Sequence, residues 1–190
     1  MEKLRFERYE TYKETFFQNS ILITDLNCGI ICCVPIDTLY DPKTSPIMNN
    51  YQHFTLPLVY IDNSTIPTFR RIITQRVEES VFFEEGVLDY CVEQSGGSPR
   101  QLIRIVYESL TYSEKNNFKI TLQVAQKVCN NLGLDLIRRL NGPDFDKLKS
   151  GDFEKGDHIT SELLFNLALM EYNGNINTRK PNPLLLPFIK

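Results

Sequence analysis

The chain has 190 residues, enough for one large domain or two small ones with a buried core. Its net charge of −3 gives no global basic field, so strong nonspecific nucleic-acid binding would need a local patch. Hydrophobic residues make up 42% and charged residues 24%, proportions ordinary for a soluble globular protein.

Residues 2–18 place Leu4, Tyr9, Tyr12 and Phe16 at helical spacing among charges, which predicts an amphipathic helix. The stretch is charged throughout and has no apolar core segment, so it does not read as a signal peptide. Asn19-Ser20 break the pattern, and two apolar runs follow, ILI at 21–23 and GIICCVPI at 29–36. The second is short, nearly uninterrupted and partly β-branched, as a strand covered on both faces of a parallel sheet would be, and Pro35 ends its ladder. Residues 37–54 are polar and proline-bearing and predict a loop. TLPLVYI at 55–61 predicts a second strand, closed by the turn-like Asp62-Asn63-Ser64.

From residue 65 the period becomes helical. Thr65 or Ser64 is placed to cap TIPTFRRIITQRV, with Pro67 in the first turn and Phe69, Ile72, Ile73 and Val77 on one face. EEGVLDYCVEQSG follows, opened by Glu84 and Glu85 and closed by glycine. SPRQLIRIVYESLTYSEK and ITLQVAQKVCNNLGLDLIRRL complete a four-helix bundle. After Asn141-Gly142-Pro143, DFDKLKSGDF and HITSELLFNLALMEYN predict two short helices. An Asn- and Gly-rich turn then separates candidate strands at Leu169–Tyr172 and near Thr178–Lys180, the outline of a winged helix. The expected fold is α+β and mostly α-helical, in three parts: a partial α/β piece with two strands (1–63), a helical lid bundle (64–140) and a winged-helix-like module (141–190). Two strands and one helix cannot cover both faces of a sheet, so the first part reads as a piece of something larger.

The five cysteines, Cys28, Cys32, Cys33, Cys91 and Cys129, are odd in number, and the adjacent Cys32-Cys33 suits neither an ordinary disulfide nor a tetrahedral metal site. They predict buried free thiols in a reducing compartment. His53 and His158 lie far apart in sequence, which argues against a metal centre or a Cys/His catalytic pair. No run approaches the roughly 18 apolar residues of a membrane span, so the expectation is a soluble, cytoplasmic protein.

The order of these parts, with Gly97-Ser98-Pro99-Arg100 opening a helix, resembles the C-terminal half of an AAA+ ATPase of the STAND-like bacterial type. In that family the helical lid carries a "sensor 2" arginine in a G-x-P-R context. GIICCVPI is similar to the strand after Walker B, and ITSELLFNLALMEYNGN with NPLLLPFI resembles the winged-helix end. The resemblance implies that Arg100, set by Gly97, Ser98 and Pro99, senses the γ-phosphate of ATP. The sequence departs from the family in having no G-x-x-x-x-G-K-[ST] and no apolar strand ending in Asp-Asp or Asp-Glu. A polar sensor 1 residue is also missing, with only Cys33 or Thr38 in its neighbourhood, and the family's Walker B strand would lie just before Met1. What is implied is a regulatory or assembly portion that does not hydrolyse ATP and holds no cofactor alone. ATP and magnesium enter only in a complete assembly, with a protein partner or the missing N-terminal P-loop half; a homo-oligomer is the other association left open.

Spacing alone offers a plainer account of the same motif: Ser98 as N-cap, Pro99 at the first helical position and Arg100 in solvent. Arg70, Arg71 and Arg76 read as the solvated face of a helix, or as the border of a phosphate pocket or subunit interface. The alternative function is a winged-helix nucleic-acid-binding or protein-interaction adaptor. Its candidate phosphate contacts are Arg138, Arg139, Lys147, Arg179 and Lys180, with Lys149 and Lys155 nearby. Against it, the candidate recognition helix TSELLFNLALM offers Ser161 and Asn166 but no arginine or lysine. Asp144, Asp146, Asp152, Glu154 and Asp157 also offset the basic residues.

Overall fold

The computed structural model describes residues 25–31, 33–34, 51–52, 54, 56–114, 117–153, 157–172 and 178–189, together with Thr11, Glu14 and Asn19. Among these residues the fold is mostly helical, with one two-stranded antiparallel sheet. The helices are α1 (Ile66–Thr74), α2 (Glu79–Phe82), α3 (Val87–Gln94), α4 (Pro99–Tyr112), α5 (Leu122–Ile137), α6 (Gly142–Ser150) and α7 (His158–Phe165). Strands β1 (Leu169–Glu171) and β2 (Arg179–Pro181) follow, and then a 3-10 turn at Pro183–Leu185.

Local chemistry explains most boundaries. Asp62, rather than Thr65 or Ser64, organises the start of α1: its carboxylate accepts from the Ser64 and Thr65 N–H groups and from the Ser64 hydroxyl. An Asx side chain folds back on its own backbone more readily than a hydroxyl does, and Thr65 Oγ1 is itself turned back to the Tyr60 carbonyl. Glu84 also serves a different helix from the one expected. Its carboxylate accepts from Leu122 N–H, at the first turn of α5 instead of α3. The N-terminus of α6 carries a full capping box, Asn141 Oδ1 accepting from Asp144 N–H and Asp144 Oδ2 from Asn141 N–H. The single turn α2 has no apolar period to announce it. It is fixed by a bridge between Phe83 and Ile120, with Ile120 N–H donating to the Phe82 carbonyl at 2.7 Å.

The hairpin forms within a residue of its expected ends, in the register Leu169 to Pro181, Met170 to Lys180 and Glu171 to Arg179. Among the described residues neither of the two earlier strands forms. Described residues within 29–36 have no strand geometry, and Ile31 is 99% exposed. In 56–61 only Leu58 bridges, in parallel to Tyr172, with Leu58 N–H donating to the Glu171 carbonyl at 3.3 Å. A strand needs a neighbour for its N–H and C=O groups, and no described residue supplies a ladder beside either run. Apart from Thr11 and Glu14, the expected helix at 2–18 lies outside the described residues, as do the run at 21–23 and most of the loop at 37–54.

Apolar side chains gather in two clusters. The first joins α1, α3, α4 and α5 around Leu88, Leu102, Ile105, Ile120 and Val128, all fully buried. The second joins α6, α7 and β1 around Leu148, Leu163 and Leu169. The clusters meet at the 3-10 turn, where Leu184 enters the first and Leu185 the second. Gly133 makes that meeting feasible: a Cβ there would collide with the Leu184 carbonyl oxygen. Glycine in a helix interior is less favourable than alanine by about 1 kcal/mol, and the close approach of the turn offsets this.

A similar demand falls on Gly97. Its φ is +79°, and a Cβ there would sit within bonding range of the Val59 carbonyl oxygen. Gly97→Ala is expected to cost about 1–3 kcal/mol from backbone strain alone. Gly142→Ala, where nothing lies within 4 Å, should change stability by less than about 0.5 kcal/mol. Urea midpoints of the two variants check this contrast.

Candidate functional site

The stretch singled out by sequence, Gly97 to Arg100, lies in a junction that runs from Ser95 to Gln101. α3 ends at Gln94, and Gly96 and Gly97 both take positive φ, +57° and +79°, so the chain reverses within two residues. Ser95 is buried, its hydroxyl donating to the Val92 carbonyl at 2.6 Å and accepting from Gly97 N–H at 3.3 Å. Ser98 then caps α4, its Oγ accepting from Gln101 N–H at 3.3 Å, and Pro99 occupies the first turn.

Three other parts of the chain close on this turn. Tyr172 Oη donates to the Gly96 carbonyl at 3.0 Å. Val59 lies against Gly97, and Met170 and Pro183 lie against Gly96. Gln101 and the fully buried Asn182 exchange amide hydrogen bonds at 3.2 Å in each direction. Asn182 also donates to the Leu167 carbonyl and accepts from Leu184 N–H. Gln101, Asn182, Tyr172 and Tyr60 were not singled out by sequence. Asn182-Pro183 is readable as a cap followed by proline, but nothing local marks its partner 81 residues away.

Arg100 projects from this fastened base. It is exposed and makes no hydrogen bond or ion pair with a described residue. Its helix start adds a positive dipole end and a planar set of donors suited to an anionic oxygen. Gly97, Ser98 and Pro99 thus set the backbone of the arm, and Arg100 is its free end.

The remaining basic candidates are dispersed. Arg179 is a correction to the surface reading. Its side chain is 1% exposed, with Nε 2.7 Å from Glu171 Oε2 and Nη1 donating to the Phe153 carbonyl, so it cannot meet a phosphate backbone. The cause is the hairpin register, which sets Glu171 and Arg179 directly opposite on one face. Lys147 is also turned inward, 18% exposed and 3.2 Å from Asp157 Oδ2. Arg138 is exposed but paired with Asp135 at 2.9 Å, and Arg139 is exposed. Lys180 lies over the Tyr60 ring at 4.2 Å. Lys155 falls outside the described residues. Arg70 is held by two carboxylates, Glu79 at 2.5 Å and Asp89 at 2.8 Å, beside an open concavity of about 580 Å³ that Arg71 also lines. Arg76 turns back to the Ile72 carbonyl.

Burial pushes the Cys91 thiol up to about 12 and the Cys129 thiol up to about 11, so neither is a nucleophile at neutral pH. Cys28 and Cys33 are exposed, against the expectation of burial. Among the described residues no three His, Cys, Asp or Glu side chains are grouped to hold a metal ion. No helix of the described residues is long and apolar enough to cross a membrane. No family model, curated protein or solved structure matches the chain.

Two measurements follow. Glu171→Ala or Arg179→Ala should each cost about 3–5 kcal/mol, because each removes one of the two opposite charges buried side by side. The double replacement Glu171→Leu/Arg179→Met should cost clearly less than the sum, as denaturant melts would report. Asp157 caps α7, accepting from Thr160 N–H and its hydroxyl. Burial opposes its ionisation, but the Thr160 hydroxyl and the Lys147 ammonium outweigh burial and hold its carboxyl below the usual range. Its stabilisation is therefore present above the unfolded value near about 3.9 and is lost as pH falls through the lower folded value. The gap between wild type and Asp157→Ala, about 0.5–2 kcal/mol at neutral pH, should shrink in melts taken below that range.

Proposed function

We propose that this chain is the regulatory or assembly portion of an AAA+-type ATPase, and that Arg100 is its phosphate-sensing arm. The P-loop is supplied from outside residues 1–190, by a protein partner or a preceding segment, and brings ATP and magnesium with it. The chain alone hydrolyses nothing, and the assembly works in the cytoplasm. Residues 64–140 act as the lid, residues 141–190 as a winged-helix-like module used for protein contact, and residues 1–63 as the remnant that completes a sheet with the missing half.

One observation carries the reading: Arg100 is free at its head while every neighbour in its backbone is fastened. Cap, proline and buried turn hold the first turn of α4, so little order remains to be imposed when an anion arrives. A guanidinium delivered to a transferring phosphoryl group acts by neutralising charge as it develops, which needs placement more than chemistry. The nucleic-acid alternative has less support, because Arg179 and Lys147 are turned inward and Arg138 is paired.

Affinity-tagged chain, recovered with its partners under native conditions, tests the proposal. The assembly is expected to hydrolyse ATP, and Arg100→Ala to lower kcat by about 10²–10³-fold while the recovered complex keeps its composition. The isolated chain should show no turnover. An assembly whose kcat is indifferent to Arg100→Ala, or isolated chain whose turnover survives further purification and disappears with Arg100→Ala, would overturn it.

A further inference from the structure

The extended segment before α1 is tied to the hairpin by the Leu58 backbone bridge and by the side chain of Tyr60. Lys180 Nζ of β2 is 2.8 Å from Tyr60 Oη and 4.2 Å from the Tyr60 ring centroid. The Tyr60 ring stands edge-on to Tyr172, with centroids 5.4 Å apart and planes at 86°. Tyr172 in turn donates to the Gly96 carbonyl. One residue before Tyr60, the Val59 backbone is pressed against Gly97. Lys180, Tyr60 and Tyr172 thus form a continuous stack from an exposed ammonium on the hairpin to the carbonyl that precedes the α4 cap by two residues.

We infer that Lys180 and Tyr60 form a clamp that positions the first turn of α4, and with it Arg100. The outer half is built to open. Lys180 is exposed and Tyr60 is 42% exposed, so their contact competes with water and contributes modestly. The inner half is not: Tyr172 is 4% exposed and anchored to backbone. When the outer half opens, only the Leu58 backbone bond and the Tyr60–Tyr172 edge contact still tie residues 58–60 to the hairpin, and the wall that sets the Gly96–Gly97 turn is held less firmly. The strap would then link whatever precedes residue 58 to the attitude of the arm. Only this last consequence rests on the phosphate-sensing reading; the clamp itself does not.

Amide hydrogen exchange on the intact chain tests the clamp without nucleotide or partner. In Lys180→Met the amides of Gly97, Ser98 and Gln101 should exchange about two- to fivefold faster, and in Tyr60→Leu about tenfold faster. Leu148 and Leu163, in the second cluster, should keep wild-type rates in both. Lys180→Arg keeps a cation over the ring and should stay within twofold of wild type. Unchanged exchange at Gly97, Ser98 and Gln101 in both Lys180→Met and Tyr60→Leu overturns the clamp. So does an acceleration spread evenly over the chain, or a Lys180→Arg variant as fast as Lys180→Met. If exchange responds as expected but ATP turnover ignores Arg100, the clamp stands and the phosphate-sensing reading falls.

Discussion

Contact between the Val59 carbonyl and Gly97 dictates how the described parts of the chain meet. Only a residue without a side chain can lie there, and only a left-handed turn can bring it there. Once the turn is made, Gly96 presents its carbonyl to Tyr172, the hairpin packs behind it, and Gln101 faces Asn182. The helix that follows has no freedom left at its start. A motif that looks like a simple helix opening is therefore also a packing requirement, and the two roles are inseparable at these positions.

The hairpin shows how a very small sheet is made to hold. Strands of three residues are marginal by themselves. Here the pair is embedded: Leu169 joins the second cluster, Met170 packs on Gly96, and Glu171 finds Arg179 across the ladder. Burying that ion pair is not a cheap way to gain stability, since both ions must leave water. What it does supply is register, because a slip of one residue would set Arg179 opposite Met170 or Tyr172 and part it from Glu171. The same arrangement withdraws from the surface a charge that composition alone assigns to it.

Helices α1, α3, α4 and α5 were legible because their information is local: an apolar period in each, a proline in the first turn of α1 and α4, and a hydroxyl residue ahead of α4 and α5. The hairpin was legible for the same reason, through its Asn- and Gly-rich turn. What failed depended on distant partners. TLPLVYI has the composition of a strand, but a strand is a relation between two segments, and only Leu58 found one. Arg179 reads as surface charge until Glu171 is placed opposite. In the candidate site, Ser98, Pro99 and the exposure of Arg100 followed from spacing. Tyr60, Tyr172 and Asn182 did not, because their roles come from contacts 76 to 120 residues away in sequence.

Leu184 and Leu185 are neighbours in the chain that point into different cores. This sets a counting rule on Asn182–Leu185, since Asn182 must also reach Gln101 and Gly133 must receive the Leu184 carbonyl. Gaining or losing a single residue here would rotate one leucine out of its core and drive the other into the wrong one. Drift in chain length, tolerated in exposed connections, is thus forbidden at this stretch, which works as a fixed gauge between the two halves of the molecule.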